Sequence, residues 1–468
     1  MDIIRNLLYH KDIMNIFNKK EPLVLFLGDL VSLLLALWLM LFLRYAEIPA
    51  LFKIMQHLVP FSFLFIVWVL IFFIAGLYEK QAVLLKNKLY ATLLRAEVIN
   101  CVIAVLFFYF ISYFGITPKT NLFIYLVVSF ILVFGWRMYL YPVIGGGRKK
   151  QKAILIGSGE EMEELKNEIN NNFRYGLFFT SVVDLNNASS INFKGEILDR
   201  IHSDDVQVIA VDLHNKQIEP VLPHLYSLLF SRVRFIDMHQ LYEDVFDKVP
   251  VSFLKYNWFL ENVSVSSGTV YDILKRLMDI CVSFILFIIS LLLYPFVYLA
   301  IKFDDGGVIF SYQKRVGKNN KAVDIVKFRT MTIANDEASW GANLSLKPIN
   351  KITRLGKFLR RTRIDELPQL WNVLTGDISL IGPRPEFLEP VKRYTEEIPY
   401  YNVRHIIKPG LSGWAQLYHD RHPHHGVDTK ETKNKLSYDL YYIKNRSFLL
   451  DLTIALKTIK ELLSRRGV

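Results

Sequence analysis

The sequence has little cysteine, with 2 in 468 residues, and both Cys101 and Cys281 lie inside apolar runs. So few thiols exclude a disulfide framework and a cysteine-ligated metal site, and nothing in the sequence demands an oxidising compartment. A hydrophobic share of 52% excludes disordered, collagen-like and low-complexity chains. At roughly 150 residues per domain, a chain of this length is expected to form about three domains.

Positive charge is in excess, because 56 lysines and arginines face 44 aspartates and glutamates, for a net charge of +12. Such an excess suits nucleic acid, an anionic lipid surface or a polyanionic small substrate. The charge follows the flanks of apolar segments and phosphate-type motifs rather than one continuous face. Nucleic-acid binding is therefore not expected.

Four apolar stretches in the first third of the chain are about long enough to cross a bilayer. They are Leu23–Leu43, Leu58–Leu77, Ala96–Phe114 and Leu122–Tyr141. They predict a four-helix transmembrane bundle over residues 1–145. The polar residues before the first stretch are too many and too charged for a signal peptide, so we expect that stretch to remain as an anchor.

The basic residues around these stretches predict their orientation. Most of them precede the first stretch, separate the second from the third or follow the fourth: Lys11, Lys19, Lys20, Lys80, Lys86, Lys88, Arg95, Arg148, Lys149, Lys150 and Lys152. The other two loops carry only Arg44, Lys53 and Lys119. Because basic loops stay on the cytoplasmic side, the amino terminus and everything after Lys150 should be cytoplasmic.

Residues 150–250 have the pattern of an α/β domain. A strand-like run, a glycine turn and a helical stretch open it in KAILIGSGEEMEELKNEI. Further β-like runs follow between helical stretches, at Phe178–Val183, Val206–Val211 and Val233–Ile236. This alternation predicts an open sheet of Rossmann type.

The glycine turn of this domain does not complete a dinucleotide fingerprint. Met162 stands where the third glycine of G-x-G-x-x-G belongs. Glu160 and Glu161, just after the turn, would repel a pyrophosphate. We therefore expect a Rossmann-like domain without a bound nucleotide, serving assembly or regulation.

A fifth apolar run, Ile280 to Ile301, contains Pro295 and is flanked by basic residues on both sides. Proline removes a helical hydrogen bond and lets a helix bend, while positive flanks on both sides favour two cytoplasmic ends. The run therefore predicts a re-entrant membrane helix over residues 277–301, at the start of a mostly α-helical domain spanning 268–468. A kinked spanning helix is the alternative.

A pair of carboxylates, Asp365 and Glu366, precedes a short helical pattern that Pro368 opens and Gly376 ends. Adjacent carboxylates at a helix start can bind a divalent cation, or supply a nucleophile and a metal ligand. Basic residues suited to a diphosphate surround the pair in sequence: Lys327, Arg329, Arg360, Arg361, Arg363 and Arg384. Taken separately, the acids could be ordinary helix capping and the arginines a lipid-facing surface.

The order of the motifs in this region resembles that of a known family. KFRTM, DELPQLWNVL, GDISLIGPRPE and KPGLSGWAQ follow a Lys-Arg-x-x-Asp sequence and the proline-broken apolar run. Together they resemble the monotopic phosphoglycosyl transferases of bacterial polysaccharide biosynthesis, from about Val270 to the end. The whole chain is similar to the large polyprenyl-phosphate sugar-phosphate transferases that begin O-antigen, capsule or exopolysaccharide assembly.

This resemblance implies transfer of sugar 1-phosphate from a UDP-sugar to undecaprenyl phosphate at the bacterial cytoplasmic (inner) membrane, with membrane lipid as a further partner. Asp365 would be the nucleophile that forms an aspartyl phosphosugar, and Glu366 would help to place Mg²⁺. The groups expected to hold phosphates are Lys327, Arg329, Arg360 and Arg384. The catalytic domain would face the cytoplasm in a homo-oligomer, expected to be a dimer.

Two features allow more than one interpretation. The segment Ser447–Lys460 has an apolar face, which suits an interfacial helix or a helix packed on the domain core. The loop that contains His419, His422, His424 and His425 resembles a transition-metal site. Pro423 breaks any helical spacing there, so we interpret the loop as polar, with a hypothetical role in sugar selection.

Two other functions compete with the transferase. A membrane-anchored nucleotide-sugar dehydratase or epimerase needs a complete glycine fingerprint and a Tyr-x-x-x-Lys pair, for which Tyr271 and Lys275 offer the evident match. A non-catalytic assembly scaffold would leave Asp365 and Glu366 without a purpose. The sequence does not distinguish among possible donor sugars.

Overall fold

A computed structural model of the chain describes residues 21–78, 86–111, 119–141, 150–172, 175–186, 201, 203–228, 233–263, 269–304, 306–332, 352–418 and 429–464. Helices predominate in these residues and small sheets accompany them. The chain divides into two compact units, Met1–Leu241 and Tyr242–Val468. The three domain ranges expected from the sequence stay predictions.

Four helices in the described part of the first unit are long and apolar enough to cross a membrane. They are α1 (Glu21–Tyr45), α2 (Leu51–Ile74), α3 (Lys86–Phe110) and α4 (Lys119–Gly135), which continues as a π-helical turn, Trp136–Leu140. Helices α2 and α3 begin several residues before the apolar runs that predict them, because a helix can extend beyond the apolar part of its sequence. Pro60 lies inside α2, as membrane helices allow.

A buried ion pair links α1 to the end of α4. Arg137 Nε donates to Asp29 Oδ1 at 3.0 Å, and Arg137 Nη1 donates to the carbonyl of Leu77 at 2.9 Å. The hydroxyl of Tyr78 donates to Asp29 Oδ2 at 2.8 Å. The helices therefore share a polar contact within an apolar core.

The first unit also contains a parallel sheet. Its strands are β1 (Gln151–Gly157), β2 (Leu177–Asp184), β3 (Val208–Val211) and β4 (Arg234–Asp237), in the order β2-β1-β3-β4. The helices around them are α5 (Glu160–Asn171), α6 (Leu222–Ser227) and α7 (Met238–Phe246). The predicted strands are thus confirmed.

The glycine turn after β1 has a packing role. A Cβ on Gly157 would lie 2.6 Å from Met238 Sδ, so a larger side chain would force Met238 to move. Gly159 has a φ of 91° and precedes α5, a conformation that glycine adopts without steric cost. Close packing and helix entry explain both glycines without a nucleotide.

The second unit holds the remaining helices and two small sheets of the described residues. The helices are α8 (Tyr256–Asn262), α9 (Thr269–Leu291), α10 (Tyr294–Asp304), α11 (Arg354–Thr362), α12 (Gln369–Thr375), α13 (Leu388–Glu397), α14 (Trp414–Tyr418), α15 (Thr429–Lys444) and α16 (Phe448–Ser464). Strands β5 (Phe310–Val316) and β6 (Ala322–Phe328) pair antiparallel, and β7 (Ser379–Ile381) pairs parallel with β8 (Gly410–Ser412).

The fifth apolar run is a broken helix. Helices α9 and α10 meet at a 53° bend, immediately before Pro295. Large apolar side chains on both helices are exposed, including Ile285 and Phe296. The bend is compatible with a broken span or a re-entrant segment.

Helix α16 packs on the core of the second unit, as one interpretation of its sequence predicts. Ile454 is fully buried in the apolar cluster of this unit, and Asp451 is fully buried as well. Tyr442 donates to Asp451 Oδ1 at 2.7 Å. Leu449 and Leu462 remain exposed, so this helix also keeps an apolar surface.

Candidate active site

Asp365 and Glu366 lie on a 3₁₀ turn, Ile364–Glu366, between α11 and α12. Arg363 introduces the turn with a left-handed backbone, φ 57°, which is uncommon for a residue other than glycine. Pro368 precedes α12, and Gly376 ends it with a φ of 91°, as the sequence predicts. The two carboxylates are therefore held where the chain changes direction.

Glu366 Oε1 is surrounded by cationic groups. Lys327 Nζ lies 2.9 Å from it, Arg384 Nη2 3.3 Å and Arg363 Nη1 3.6 Å. Burial raises the pKa of Glu366, but Arg384, Lys327 and Arg363 lower that pKa far more, so it ends well below its usual range. Glu366 is therefore ionised at any physiological pH.

Asp365 has a different environment. Burial, and next the charge of Glu366, raise the pKa of Asp365 to about 6. Its Oδ1 is buried and has no hydrogen-bond partner among the described residues. A buried ionisable oxygen without a hydrogen-bond partner destabilises the fold unless a reacting group or an ion binds to it. Ionisable residues with shifted pKa values cluster at functional sites.

The other expected phosphate-binding residues lie on neighbouring elements. Lys327 is on β6, and burial lowers its pKa despite the opposing effect of Glu366. Arg360, on α11, donates through Nε to Thr330 Oγ1 at 2.9 Å and electrostatically lowers the pKa of Asp365. Arg329 is buried beside Gly307, where a Cβ would lie 1.6 Å from the Arg329 Nη1 atom.

Close glycine contacts fix the loop that presents Arg384. A Cβ on Gly410 would lie 2.1 Å from the backbone nitrogen of Gly382, and a Cβ on Gly413 would lie 2.2 Å from the carbonyl oxygen of Gly382. The backbone of this loop can pass β8 only because these positions lack side chains. The glycines of GPRP and KPGLSG thus have a direct physical explanation.

A buried arginine supports the same loop. Arg404 donates through Nη2 to the carbonyl oxygen of Arg384 at 3.1 Å and lies 2.7 Å from Asp439 Oδ2. Glu386, two residues after Arg384, forms ion pairs with Arg404 and Lys435. Sequence reasoning did not select Arg404, because its ion-pair partners, Glu386 and Asp439, lie at least 18 residues away along the chain.

The Lys-Arg-x-x-Asp sequence connects α9 to this region. Arg276 donates to the carbonyl oxygens of Val373 and Leu374, both at 2.8 Å, and so satisfies the end of α12. Asp279 Oδ1 accepts from Ser379 Oγ at 3.1 Å and from the backbone nitrogen of Leu380 at 3.0 Å. The broken helix is thereby attached to α12 and β7, the two elements that follow the carboxylate pair.

Asn372 is a further residue that sequence reasoning did not select, and Arg363, which it placed near the pair, was not among the expected phosphate-binding residues. Asn372 Nδ2 donates to the carbonyl of Asp324, and Asn372 Oδ1 accepts from the backbone nitrogen of Val326, which joins α12 to β6. Arg363 was one of several nearby arginines. Its i,i+3 spacing from Glu366 is the signal that identifies it.

The carboxylates fit a divalent cation. Oxygen ligands from adjacent acids are what Mg²⁺ prefers, and Asp365 Oδ1 lacks a hydrogen-bond donor among the described residues. The histidine loop, His419 to His425, lies outside the described residues.

The pair expected of a dehydratase or epimerase has a different use here. The hydroxyl of Tyr271 donates to Asp451 Oδ2 at 2.9 Å, and Lys275 Nζ lies 3.0 Å from the same oxygen. Asp451 is fully buried. Both side chains therefore neutralise and satisfy a buried carboxylate, which argues against a catalytic Tyr-Lys pair.

Comparison with known proteins identifies relatives of this second unit. The chain is 41% identical over 208 residues to the UDP-N-acetylgalactosamine-undecaprenyl-phosphate N-acetylgalactosaminephosphotransferase of Aeromonas hydrophila, covering 44% of this chain and 47% of that protein. It is 35% identical to the undecaprenyl-phosphate galactose phosphotransferase of Salmonella typhimurium, covering 42% of this chain and 41% of that protein. The matched region thus spans less than half the length of either relative.

A shorter relative is matched almost completely. The exopolysaccharide production protein PSS of Rhizobium leguminosarum bv. phaseoli is 38% identical over 197 residues, which cover 41% of this chain and 96% of that protein. The model of the bacterial sugar transferase family matches residues 270–465, the region that contains the carboxylate pair and the cations around it. The chain therefore belongs to the bacterial sugar transferase family.

Proposed function

We propose that the chain transfers sugar 1-phosphate from a UDP-sugar to undecaprenyl phosphate, releasing UMP and forming undecaprenyl diphosphate sugar. The observation that carries this proposal is the buried pair of Asp365 and Glu366. Among the described residues, one oxygen of Asp365 has no hydrogen-bond partner and three cations surround Glu366. The names of the Aeromonas and Salmonella relatives include undecaprenyl phosphate, which supports undecaprenyl phosphate as the acceptor.

Asp365 is the nucleophile in this proposal. Its carboxylate attacks the phosphorus attached to the sugar, the bond from that phosphorus to the UMP oxygen breaks, and UMP leaves with the electron pair. An aspartyl phosphosugar remains. A pKa of about 6 leaves most of the Asp365 side chain ionised at pH 7, and burial removes the water that would blunt its attack.

The acceptor completes the reaction. A phosphate oxygen of undecaprenyl phosphate attacks the same phosphorus, and Asp365 leaves as a carboxylate. Positive charge beside the reacting phosphates comes from Lys327, Arg360 and Arg384, and also from Arg329 at the end of β6. Asp365 and Glu366 would hold Mg²⁺, which when bound neutralises charge as the phosphoryl group passes between anionic partners.

The broken helix suits a substrate that is part lipid. In this proposal α9 and α10 form a re-entrant segment with both ends in the cytoplasm, which keeps the site at the inner-membrane surface beside the acceptor's phosphate. Arg276 and Asp279 attach this segment to α12 and β7, so the depth of the segment in the membrane sets the depth of the carboxylate pair. The α/β region, residues 150–250, serves assembly or regulation, and the chain acts as a dimer.

The membrane arrangement is tested by cysteine labelling in intact and permeabilised cells. Cys101 and Cys281 are first replaced by serine, and single cysteines are placed at Lys255 and Lys321, which are exposed on either side of the broken helix. Re-entry predicts that both label only after the inner membrane is permeabilised. Opposite behaviour of the two positions would mean that the helix crosses the membrane.

The reaction is tested by nucleotide release. Detergent-solubilised protein receives Mg²⁺, undecaprenyl phosphate and a panel of UDP-sugars that includes N-acetylgalactosamine, galactose and glucose. UMP should appear with at least one donor. Release of UDP instead would mean transfer of the sugar without its phosphate, and folded protein that releases no nucleotide with any donor would favour the scaffold alternative.

A further inference from the structure

The carboxyl edge of the parallel sheet in the first unit brings three potential metal ligands together. Asp212 directly follows β3, His214 lies two residues later, and His239 is the second residue of α7, just after β4. One ligand atom from each lies within 4.8 Å of the others. The strand order reverses between β1 and β3, and in open α/β sheets such an edge is where ligands bind.

Asp212 is the centre of this cluster. It is fully buried, and its Oδ1 accepts from the backbone nitrogen of His214 at 3.0 Å and lies 3.2 Å from His239 Nε2. Its Oδ2 is buried with no hydrogen-bond partner among the described residues. A buried carboxylate oxygen without a donor is energetically costly, and a bound cation would satisfy it.

The two imidazoles are arranged side by side next to this carboxylate. Their rings stack with centroids 5.1 Å apart and planes inclined by 17°. His214 Nδ1 also lies 3.5 Å from Asp237 Oδ2. Asp237 is itself fixed, because its Oδ1 accepts from the backbone nitrogens of His239 and Gln240 at 2.7 and 3.0 Å. A second carboxylate is thus available beside the first three ligands.

The segment after β3 is held in place by a contact with another turn of the first unit. A loop contact from Asn215 Nδ2 to Ser158 Oγ at 3.0 Å ties the segment after β3 to the turn after β1.

We propose that Asp212, His214 and His239 bind a divalent transition-metal ion of the zinc class, with Asp237 available as a fourth ligand. Two imidazoles with carboxylate oxygens favour such an ion over Mg²⁺, which prefers oxygen alone. Tetrahedral zinc with ligands at about 2.0–2.1 Å separates its ligand atoms by about 3.4 Å. The His214 side chain is 57% exposed, so a small change in its rotamer angles could bring these ligand atoms closer.

Such an ion would join the ends of β3 and β4 and stabilise this edge of the sheet. It is separate from the Mg²⁺ proposed for catalysis, since every ligand lies within residues 212–239 of the first unit. Binding free energy at a site of this kind is also folding free energy. Metal should therefore raise the temperature at which the first unit unfolds.

The test uses the purified full chain, stripped with a chelator and titrated with Co²⁺, whose visible d–d absorption reports tetrahedral nitrogen and oxygen ligands. Zn²⁺ should displace the absorption at one equivalent. His214→Ala should remove the band and weaken binding at least tenfold, with folding retained because this side chain is 57% exposed. His224→Ala, a histidine of the same unit outside the cluster, should keep the band.

A third variant separates this site from the histidine loop. Alanine at His419, His422, His424 and His425 should leave the Co²⁺ band unchanged. The proposal is overturned if the unaltered chain gives no band, if His214→Ala retains it, or if it disappears only in the loop variant. Loss of UMP release has no bearing on any of these outcomes.

Discussion

At the scale of single residues, the site depends on two adjacent carboxyl groups whose surroundings shift their pKa values in opposite directions. Glu366 is kept ionised by three cations, while burial and the neighbouring negative charge raise the pKa of Asp365 to about 6. A pair whose environments separate their pKa values is typical of acid–base or nucleophilic sites. The geometry thus gives the two residues different chemical roles.

Glu366→Gln should disable the enzyme and destabilise the second unit. Removing the anion leaves Lys327, Arg363 and Arg384 close together without their shared partner, and breaking a buried pair costs about 3–5 kcal/mol. We expect kcat to fall by about 100-fold or more and the melting temperature to drop. The matched control is Glu389→Gln, an exposed glutamate paired with Lys392.

Nucleotide release and thermal unfolding in the same detergent would measure both effects. Equal rates for Glu366→Gln and Glu389→Gln would remove Glu366 from the site.

His405 should make the stability of the second unit depend on pH. Burial, and next the charge of Arg404, lower the pKa of His405 to about 3 from an ordinary 6.5. Between these values the unfolded chain binds a proton that the folded chain does not. Stability is therefore complete above about pH 6.5 and falls by up to about 1.4 kcal/mol per unit as the pH drops toward 3.

Melting temperatures at pH 7, 6 and 5 test this expectation. His405→Gln should show a smaller fall with acidification than the unaltered chain, whereas His224→Gln should match the unaltered chain. Identical slopes for all three proteins would mean that His405 does not titrate in this way.

At the scale of elements, the loop that carries Arg384 is positioned by backbone contacts. Gly410→Ala would place a methyl group 2.1 Å from the backbone nitrogen of Gly382, so β7 and β8 must separate. Overpacking of this kind costs about 1–3 kcal/mol, and the displaced loop should lower kcat at least tenfold. Gly135→Ala is the control, since nothing lies within 4 Å of its Cβ.

The same nucleotide-release assay decides the matter. Full activity in Gly410→Ala would show that the loop tolerates displacement, and would contradict the role given to these glycines.

The ion pair between α1 and the end of α4 should hold the apolar helices of the first unit together. Arg137→Met leaves Asp29 buried without its cation, which costs about 3–5 kcal/mol, and the bundle should melt at a lower temperature. Replacing both partners, with Asp29→Leu added, should recover part of the loss. Arg95→Met, on the exposed side of α3, should have little effect.

Fluorescence-detected size exclusion after heating provides the measurement. A single Arg137→Met variant as stable as Arg95→Met would mean that the pair contributes nothing to the bundle.

Elements with a strong local pattern are those the sequence predicts well. The four helices long and apolar enough to cross a membrane follow from apolar runs, the strands of the α/β region from alternation, and the end of α12 at Gly376 from a glycine cap. What the sequence does not reveal depends on distant partners. The contacts of Arg404 with Asp439 and of Asp212 with His239 form only in the folded chain, so no local sequence pattern predicts them.

At the scale of the whole molecule, the proposed reaction depends on a covalent intermediate at Asp365. The most direct measurement uses UDP-sugar labelled with ³²P at the phosphorus that bears the sugar, mixed with protein and Mg²⁺ in the absence of acceptor. The protein should become labelled, and the label should move to lipid when undecaprenyl phosphate is added. Asp365→Asn should not become labelled. The control variant Asp324→Asn, with an exposed side chain on β6, should be labelled normally. Label that reaches the lipid without ever residing on the protein, or that persists on Asp365→Asn, would contradict the account.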